Sequence, residues 1–387
     1  MSKKNILIYG ATGSIGDSTL NLIRNNKKLF NVVGLTCNNN VGKLINIANE
    51  FECKNLGIYD ESQVSKYSEL KNFNIYFGLS NFHKLVTVNV DIIIFAISGS
   101  SPFHLLMDLA KCGKVIGIAN KECIICLGKI FLDKAKLFST KIIPLDSEHN
   151  AIYQLMKNRK KSSIRKFTIT ASGGNFYNYT YNDLKKITVD QAVTHPQWKM
   201  GRKITVDSST LMNKGLEIIE ACILFDIDPI MIDAVIHPES IIHGMIEYKD
   251  TSTHAFLSHP NMEISISSVL FNDNIADLSN YVINLIKLKS LNFYEIDKDK
   301  FNAIDLAKFS LREGGLIPAV FNYTNELMVD LFLSQKILFT DIPIFNEKII
   351  KKFILDGNNV EIPDISDISE AFKTVDTYLL SLKSIVE

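Results

Sequence analysis

The sequence predicts an α/β fold: a doubly wound parallel sheet, then an α+β domain, then a small C-terminal helical domain. Three observations predict it. Short β-branched runs alternate with helical stretches from residue 3 to about 150. Those runs are apolar on both faces and lie about 15–35 residues apart, the pattern of buried parallel strands joined by crossover helices. Beyond residue 302 strand runs disappear and helical periodicity dominates.

Taken in order, residues 5–9, 32–36, 56–59, 91–97, 115–119 and 142–145 read as the strands of the parallel sheet. Between 151 and 275 the texture changes. Residues 165–170 and 241–256 read as strands, the second region alternating as a sheet buried on one side does, and 213–225 reads as a helix. Residues 276–300 read as a connector. The apolar positions Ile304, Leu306, Ala307 and Leu311, then Leu327, Val329, Leu331 and Phe332, carry the helical spacing of the last part. The expected division is therefore 1–150, 151–275, 276–300 and 301–387. No internal repeat or low-complexity tract interrupts it.

Composition bounds the function. With 387 residues, 46% hydrophobic and 22% charged, the chain is not of the disordered class and can bury a sizeable core. Lys+Arg and Asp+Glu both number 42, so the formal net charge is zero. Such a chain has no global electrostatic reason to bind nucleic acid or an anionic membrane, and any phosphate must be caught locally. The apolar run 92–97 is too short to span a bilayer. The start, Met1-Ser2-Lys3-Lys4, leads into an apolar run at Ile6 and leaves no room for a secretion signal. Six cysteines (Cys37, Cys53, Cys112, Cys123, Cys126, Cys222) are too sparse for a disulfide scaffold, so the expected compartment is the cytoplasm.

The first motif is Gly10-Ala11-Thr12-Gly13-Ser14-Ile15-Gly16, between the first strand and a helix. Glycines spaced three apart let the backbone approach a pyrophosphate at a helix N-terminus; the same pattern also suits an ordinary tight turn. The second strand ends in Cys37-Asn38-Asn39-Asn40, with no carboxylate to repel a 2′-phosphate and no cation nearer than Lys43. That favours NADP over NAD.

The second motif is a set of carboxylates. Asp146-Ser147-Glu148 follows the strand 142–145, and in extended backbone positions 146 and 148 point the same way. Glu217 lies in Asn213-Lys214-Gly215-Leu216-Glu217, where helical spacing brings amide, ammonium and carboxylate to one face. Three carboxylates would make a hard oxygen site for Mg²⁺ or Mn²⁺, while a solvated loop and a surface Glu–Lys pair fit the same spacing. The third constellation is His195-Pro196-Gln197-Trp198-Lys199-Met200-Gly201-Arg202, with the only Trp of the chain, read as a mobile covering loop or as a rigid, core-anchoring turn. Ser172-Gly173-Gly174 offers a nest for an oxyanion or phosphate. Asp207-Ser208-Ser209-Thr210 offers ligand hydroxyls or plain helix caps. Cys123-Ile124-Ile125-Cys126 has an apolar insert and no second pair, so it is not read as a metal or redox motif. His237 and His243 are read as satisfied by local hydrogen bonds.

Six ordered blocks together resemble the 1-deoxy-D-xylulose 5-phosphate reductoisomerase family: residues 10–16, Ala119-Asn120-Lys121-Glu122, residues 146–151, Ser172-Gly173-Gly174, residues 195–201 and residues 203–220. The resemblance spans about residues 4–260 and continues more loosely through the C-terminal helices. It implies an NADPH-dependent enzyme that rearranges 1-deoxy-D-xylulose 5-phosphate and reduces the aldehyde to 2-C-methyl-D-erythritol 4-phosphate for isoprenoid synthesis. By motif match, Asp146, Glu148 and Glu217 would hold Mg²⁺ or Mn²⁺, with Co²⁺ a further candidate. Lys121, Ser147, Glu148, Ser172, His195, Trp198, Ser208, Asn213, Lys214 and Glu217 would contact the sugar phosphate, with Lys121, Glu148, His195 and Glu217 carrying the catalysis. Thr12, Gly13, Ser14, Ile15, Asn39, Asn40, Asn120, Glu122 and Gly201 would lie along NADPH. The resemblance also implies a homodimer. Three departures stand out: Asn39 where the family often has Lys, Asn175 where it usually has Pro, and no second Trp near residue 271. Two rival readings remain, a metal-dependent sugar phosphate isomerase without a redox step and a non-catalytic dinucleotide-sensing module.

Overall fold

The computed structural model describes residues 2–386 except 88, 196, 197, 199, 200, 273 and 275. The chain forms two compact units. The first comprises residues 1–123, 129–150 and 261–280; the second comprises 124–128, 151–260 and 281–387.

The first unit is built on seven strands: β1 Lys4–Tyr9, β2 Phe30–Cys37, β3 Asn55–Ile58, β4 Asn74–Phe77, β5 Ile92–Phe95, β6 Val115–Ile118 and β7 Lys141–Pro144. Their order is β4-β3-β2-β1-β5-β6-β7, and every pairing is parallel. The central strands are buried through Ile6, Leu7, Ile8, Ile93 and Ile94, each fully covered, as the continuous apolar runs require. The strand order reverses between β1 and β5, and ligands bind such sheets at the carboxyl ends of the strands flanking that reversal. The turn after β1 stands there.

The second unit holds a four-stranded sheet, β8 Ile164–Ala171, β9 Ile232–Ile236, β10 Ile242–Tyr248 and β11 Thr253–Leu257, in the order β11-β10-β8-β9. β10 pairs antiparallel with β8 and β11, whereas β8 and β9 run parallel, so the sheet is mixed. Its inner face, with Phe167, Ile169, Ile232 and Ile246, packs on Ile218 and Ala221 of the Met212–Phe225 helix. A Cβ on Gly215 would lie 2.8 Å from the Ala303 carbonyl oxygen, so glycine permits this close helix crossing. The Ala303–Glu313, Ile317–Leu333, Asp341–Leu355 and Ile365–Val386 helices complete the unit.

Three features depart from the sequence reading. β4 and β9 were not anticipated: one is a four-residue edge strand and the other five residues long. Residues 261–280 fold with the first unit. The Met262–Leu270 helix puts Val269 within 3.0 Å of a Cβ built on Gly117 of β6, Asn21 donates to Glu263 at 2.6 Å, and Phe271 meets Phe30 edge-on at 5.2 Å. The backbone at 146–148 is not extended: a helix, Ser147–Met156, begins directly after Asp146.

Candidate active site

The glycine-rich turn in the first unit divides its glycines by function. Gly10 has φ +82°, and a Cβ there would collide with the Ala96 carbonyl. A Cβ on Gly16 would lie 2.5 Å from the carbonyl carbon of Ala11. These two serve close packing. Gly13 has an ordinary extended φ of −87°, and its Cβ would meet only the Gly10 carbonyl oxygen, at 3.5 Å. Its space is open. Gly13 is also the N-cap of the Ser14–Asn25 helix and offers no side-chain cap, so the first-turn amides keep their donor capacity. Thr36, which sequence reasoning passed over, accepts from the Gly10 amide at 2.9 Å and fixes the turn. Lys43 donates to the Thr12 carbonyl at 3.0 Å and to Asp17 at 2.7 Å.

The other proposed cofactor residues stand at helix starts. Asn40 caps the Val41–Glu50 helix by accepting from the Lys43 amide, and the Asn39 carbonyl accepts from Val41. Asn120 is 1% exposed and caps the Lys121–Leu137 helix. Its Oδ1 accepts from the Cys123 amide at 2.6 Å, while its Nδ2 donates to Ile97 and Gly99 at 2.6 and 2.7 Å. That side chain is fully engaged in shaping the loop after β5. Glu122 lies in the first turn of the same helix. Gly201 belongs to the second unit, where it caps the Arg202–Ser209 helix.

Asp146 follows β7 and accepts from the buried Lys121 ammonium at 2.6 Å. Its other oxygen accepts from the Glu148 amide at 3.3 Å, as an N-cap carboxylate does. The sequence brings the two acids together through a helix start instead of an extended strand. Ser147 donates to the Glu148 carboxylate.

In the second unit, Ser172, His195 and Ser208 form one string. His195 Nε2 stands 3.0 Å from Ser172 Oγ and 3.2 Å from Ser208 Oγ, and Nδ1 accepts from the Trp198 amide at 3.0 Å. An accepting Nδ1 places the ring proton on Nε2, which donates to a serine oxygen; the network assigns this tautomer. Burial pushes the His195 pKa down to about 4, so the ring is neutral near pH 7. Neither serine then spends its hydroxyl proton on the ring. Gly173 and Gly174, at φ +82° and +61°, carry the chain past Ser172, and a Cβ on Gly174 would approach Ser209 Cα to 2.8 Å. Trp198 is half-buried. Pro196, Gln197, Lys199 and Met200 of the same loop lie outside the described residues.

The Arg202–Ser209 helix breaks sharply at Leu211, whose φ is +58°, and the Met212–Phe225 helix starts at once. A bulky residue held in the left-handed region marks strain that the fold sustains. The break sets Asn213, Lys214 and Glu217 on the first turns of the new helix. Lys214 and Glu217 form a buried ion pair, their side chains 3% and 2% exposed, and Asn213 donates to the same carboxylate. The solvated-surface reading of this pair fails. Of the hydroxyls read as caps, only Thr210 behaves so, accepting from the Met212 amide at 3.3 Å.

The remaining motifs are structural. Cys123 points at the Gly99 and Ser100 carbonyls, and Cys126 accepts from Asn322. His237 is enclosed by the Asn292 carbonyl, Glu239 and the Ile241 amide, and His243 meets the Ser258 carbonyl.

Comparison with known proteins identifies the family. Residues 6–128 match the family described as 1-deoxy-D-xylulose 5-phosphate reductoisomerase, residues 142–225 its C-terminal domain, and residues 257–377 the DXP reductoisomerase C-terminal domain. The 1-deoxy-D-xylulose 5-phosphate reductoisomerase of Clostridium tetani is 40% identical over 356 residues, covering 90% of this chain and 93% of that protein. Its counterpart in Sulfurihydrogenibium sp. is 41% identical over 357 residues, covering 92% of each. Among solved structures, a DOX-P reductoisomerase in complex with NADPH, fosmidomycin and magnesium superposes with a TM-score of 0.90 at 33% identity over 98% of both chains. The Zymomonas mobilis enzyme in complex with NADPH gives 0.88 at 32% identity over the full length of both. Family matches along the chain, relatives at 40% identity and the shared fold agree, and the chain belongs to the 1-deoxy-D-xylulose 5-phosphate reductoisomerase family.

Proposed function

We propose that this protein converts 1-deoxy-D-xylulose 5-phosphate to 2-C-methyl-D-erythritol 4-phosphate with NADPH and a divalent cation, a step of isoprenoid biosynthesis. The observation that carries the reading is the neutral His195 with Ser172 and Ser208 on its Nε2 side. Two hydroxyls not spent on the ring nitrogen would give a phosphate dianion local hydrogen-bond donors, which a chain of zero formal net charge must supply locally.

The turn at residues 10–16 fits a dinucleotide, because Gly13 leaves the space and the uncapped helix start leaves the donors. Thr12, Gly13, Ser14 and Ile15 would line it, with Asn39, Asn40, Asn120, Glu122 and Gly201 along its length. Bound NADPH supplies the hydride. Asp146, Glu148 and Glu217 are the proposed metal ligands. All three offer carboxylate oxygen, which suits Mg²⁺ or Mn²⁺ and also admits Co²⁺. The ion supplies Lewis acidity to the ketone and hydroxyl oxygens.

The chain's own groups do the rest. Ser172, Ser208, Asn213 and Lys214 would hold the phosphate, remote from the reacting carbons, and so orient the sugar. Lys121 and Ser147 would position its hydroxyls, and Trp198 would cover it and exclude water. We also infer a homodimer and a cytoplasmic location. β11 is an edge strand of its sheet, a place where a second copy could pair, and six cysteines in 387 residues are too sparse for a disulfide scaffold, which suits a reducing compartment. No described helix is long and apolar enough to cross a membrane. The activity is tested by following NADPH absorbance with Mn²⁺ present. Oxidation should begin only when 1-deoxy-D-xylulose 5-phosphate is added; no turnover at any metal concentration refutes it, and product without NADPH loss would favour the isomerase reading.

A further inference from the structure

The hydroxyl of Ser208 is only as well placed as the helix that bears it. That helix, Arg202–Ser209, is eight residues long, starts at a glycine without a side-chain cap and ends against the left-handed Leu211. A helix this short does not hold itself in water. Its anchor is Asp207, the residue before Ser208. The Asp207 carboxylate is 1% exposed; one oxygen pairs with Lys203 on the same helix at 2.9 Å, and the other accepts from Asn325 at 2.7 Å. Asn325 is fully buried in the Ile317–Leu333 helix, and its own Oδ1 has no partner among the described residues, so this bond sets how its amide faces. Neighbouring residues on a helix point about 100° apart. Fixing Asp207 toward the Ile317–Leu333 helix therefore fixes the direction in which Ser208 faces His195.

We propose that Asp207, tied to Asn325, is a positioning residue for the phosphate site: it acts through Ser208 and touches no ligand. This rests on the reading that Ser208 and His195 receive the substrate phosphate. The probe is inorganic phosphate, titrated into the full-length protein by calorimetry, with NADPH affinity and thermal midpoint measured alongside. Asn325→Ala should weaken phosphate binding about tenfold, the scale of one lost buried hydrogen bond to a charged group, and leave NADPH affinity unchanged. In a Ser208→Ala background the same substitution should cost nothing further, because the residue through which it acts is already gone. Should Asn325→Ala not fold, Lys203→Met removes the other partner of the carboxylate and should act in the same direction.

Unchanged phosphate affinity in these variants overturns the proposal. So does an equal loss with and without Ser208, which is what a general loosening would give. A wild-type protein that binds no phosphate defeats the reading of the site itself, and the inference falls with it. Wild-type binding with an unaffected Asn325→Ala defeats the inference alone.

Discussion

The three glycines of the β1 turn make a sharp test, because only one of them has room to spare. Consider Gly13→Ala. The backbone at Gly13 is already extended, and a methyl there meets nothing nearer than the Gly10 carbonyl oxygen at 3.5 Å. Replacing glycine at a compatible φ stabilises by roughly 0.4–1 kcal/mol through the unfolded chain. Alanine is a worse N-cap than glycine by a similar amount, about 0.5–1 kcal/mol. The two terms oppose each other, so stability should change by less than about 1 kcal/mol. The cofactor should feel it far more. A methyl in the gap would hold a pyrophosphate off a first-turn amide, and one hydrogen bond to a charged group is worth roughly 1.5–3 kcal/mol. At 1.4 kcal/mol per decade, the NADPH dissociation constant should rise about 10- to 100-fold. NADPH fluorescence titration reads the affinity and thermal unfolding reads the fold. Gly16→Ala is the control, since its methyl would lie 2.5 Å from the Ala11 carbonyl carbon and should destabilise outright. A Gly13→Ala protein that binds NADPH like the wild type would refute the argument and leave the turn an ordinary one.

Two further outcomes follow from buried titratable groups. Glu217→Gln leaves the Lys214 ammonium without its countercharge and should lower stability by about 1–3 kcal/mol, less than the roughly 3–5 of a full truncation. It should also abolish Mn²⁺ binding and turnover while NADPH affinity persists; retained Mn²⁺ binding by calorimetry removes Glu217 from the metal site. His195 is held neutral by burial, with its pKa pushed down to about 4. An unfolded histidine titrates near 6.5, so between those values the unfolded chain binds more protons than the folded one. The stability contributed by this group is complete above about pH 6.5 and is lost as pH falls toward 4. Urea midpoints of wild type and His195→Gln across that range should diverge, with the wild type losing more; parallel curves would count against a buried neutral ring.

Much of this was legible because it is local. The apolar runs of β1, β2, β5 and β6 and the glycines between strand and helix carry their geometry in adjacent residues. The Lys214–Glu217 pair is a helical spacing, and the structure adds only its burial. Asp146 and Glu148 are neighbours at a helix start and not along an extended strand, since helix capping also brings residues two apart together. What stayed hidden depends on distant chain. Ser172, His195 and Ser208 are separated by 23 and 13 residues with no periodic relation, and Asp207 meets Asn325 across 118. No composition signal separates residues 261–280 from the domain before them; distant contacts show where they belong, Val269 and Phe271 against β6 and β2 and Glu263 with Asn21.

The charges around the proposed ligands bear on how a chain with no net charge would handle a phosphate and a divalent cation. Each of two proposed metal ligands is already matched within its own unit, Asp146 by Lys121 and Glu217 by Lys214. Neither carboxylate is left as an isolated buried charge, which would be costly. On the proposed reading, a cation at Asp146 and Glu217 would share these carboxylates with the lysines and weaken each pair. Lys121 and Lys214 would then be freer to meet substrate oxygens. A phosphate engaging Lys214 would in turn leave Glu217 in want of a positive partner. Each ligand would thus favour the other by linkage, which acts equally in both directions. The neutral His195 string stands outside this exchange, offering hydroxyl donors that no ion need displace.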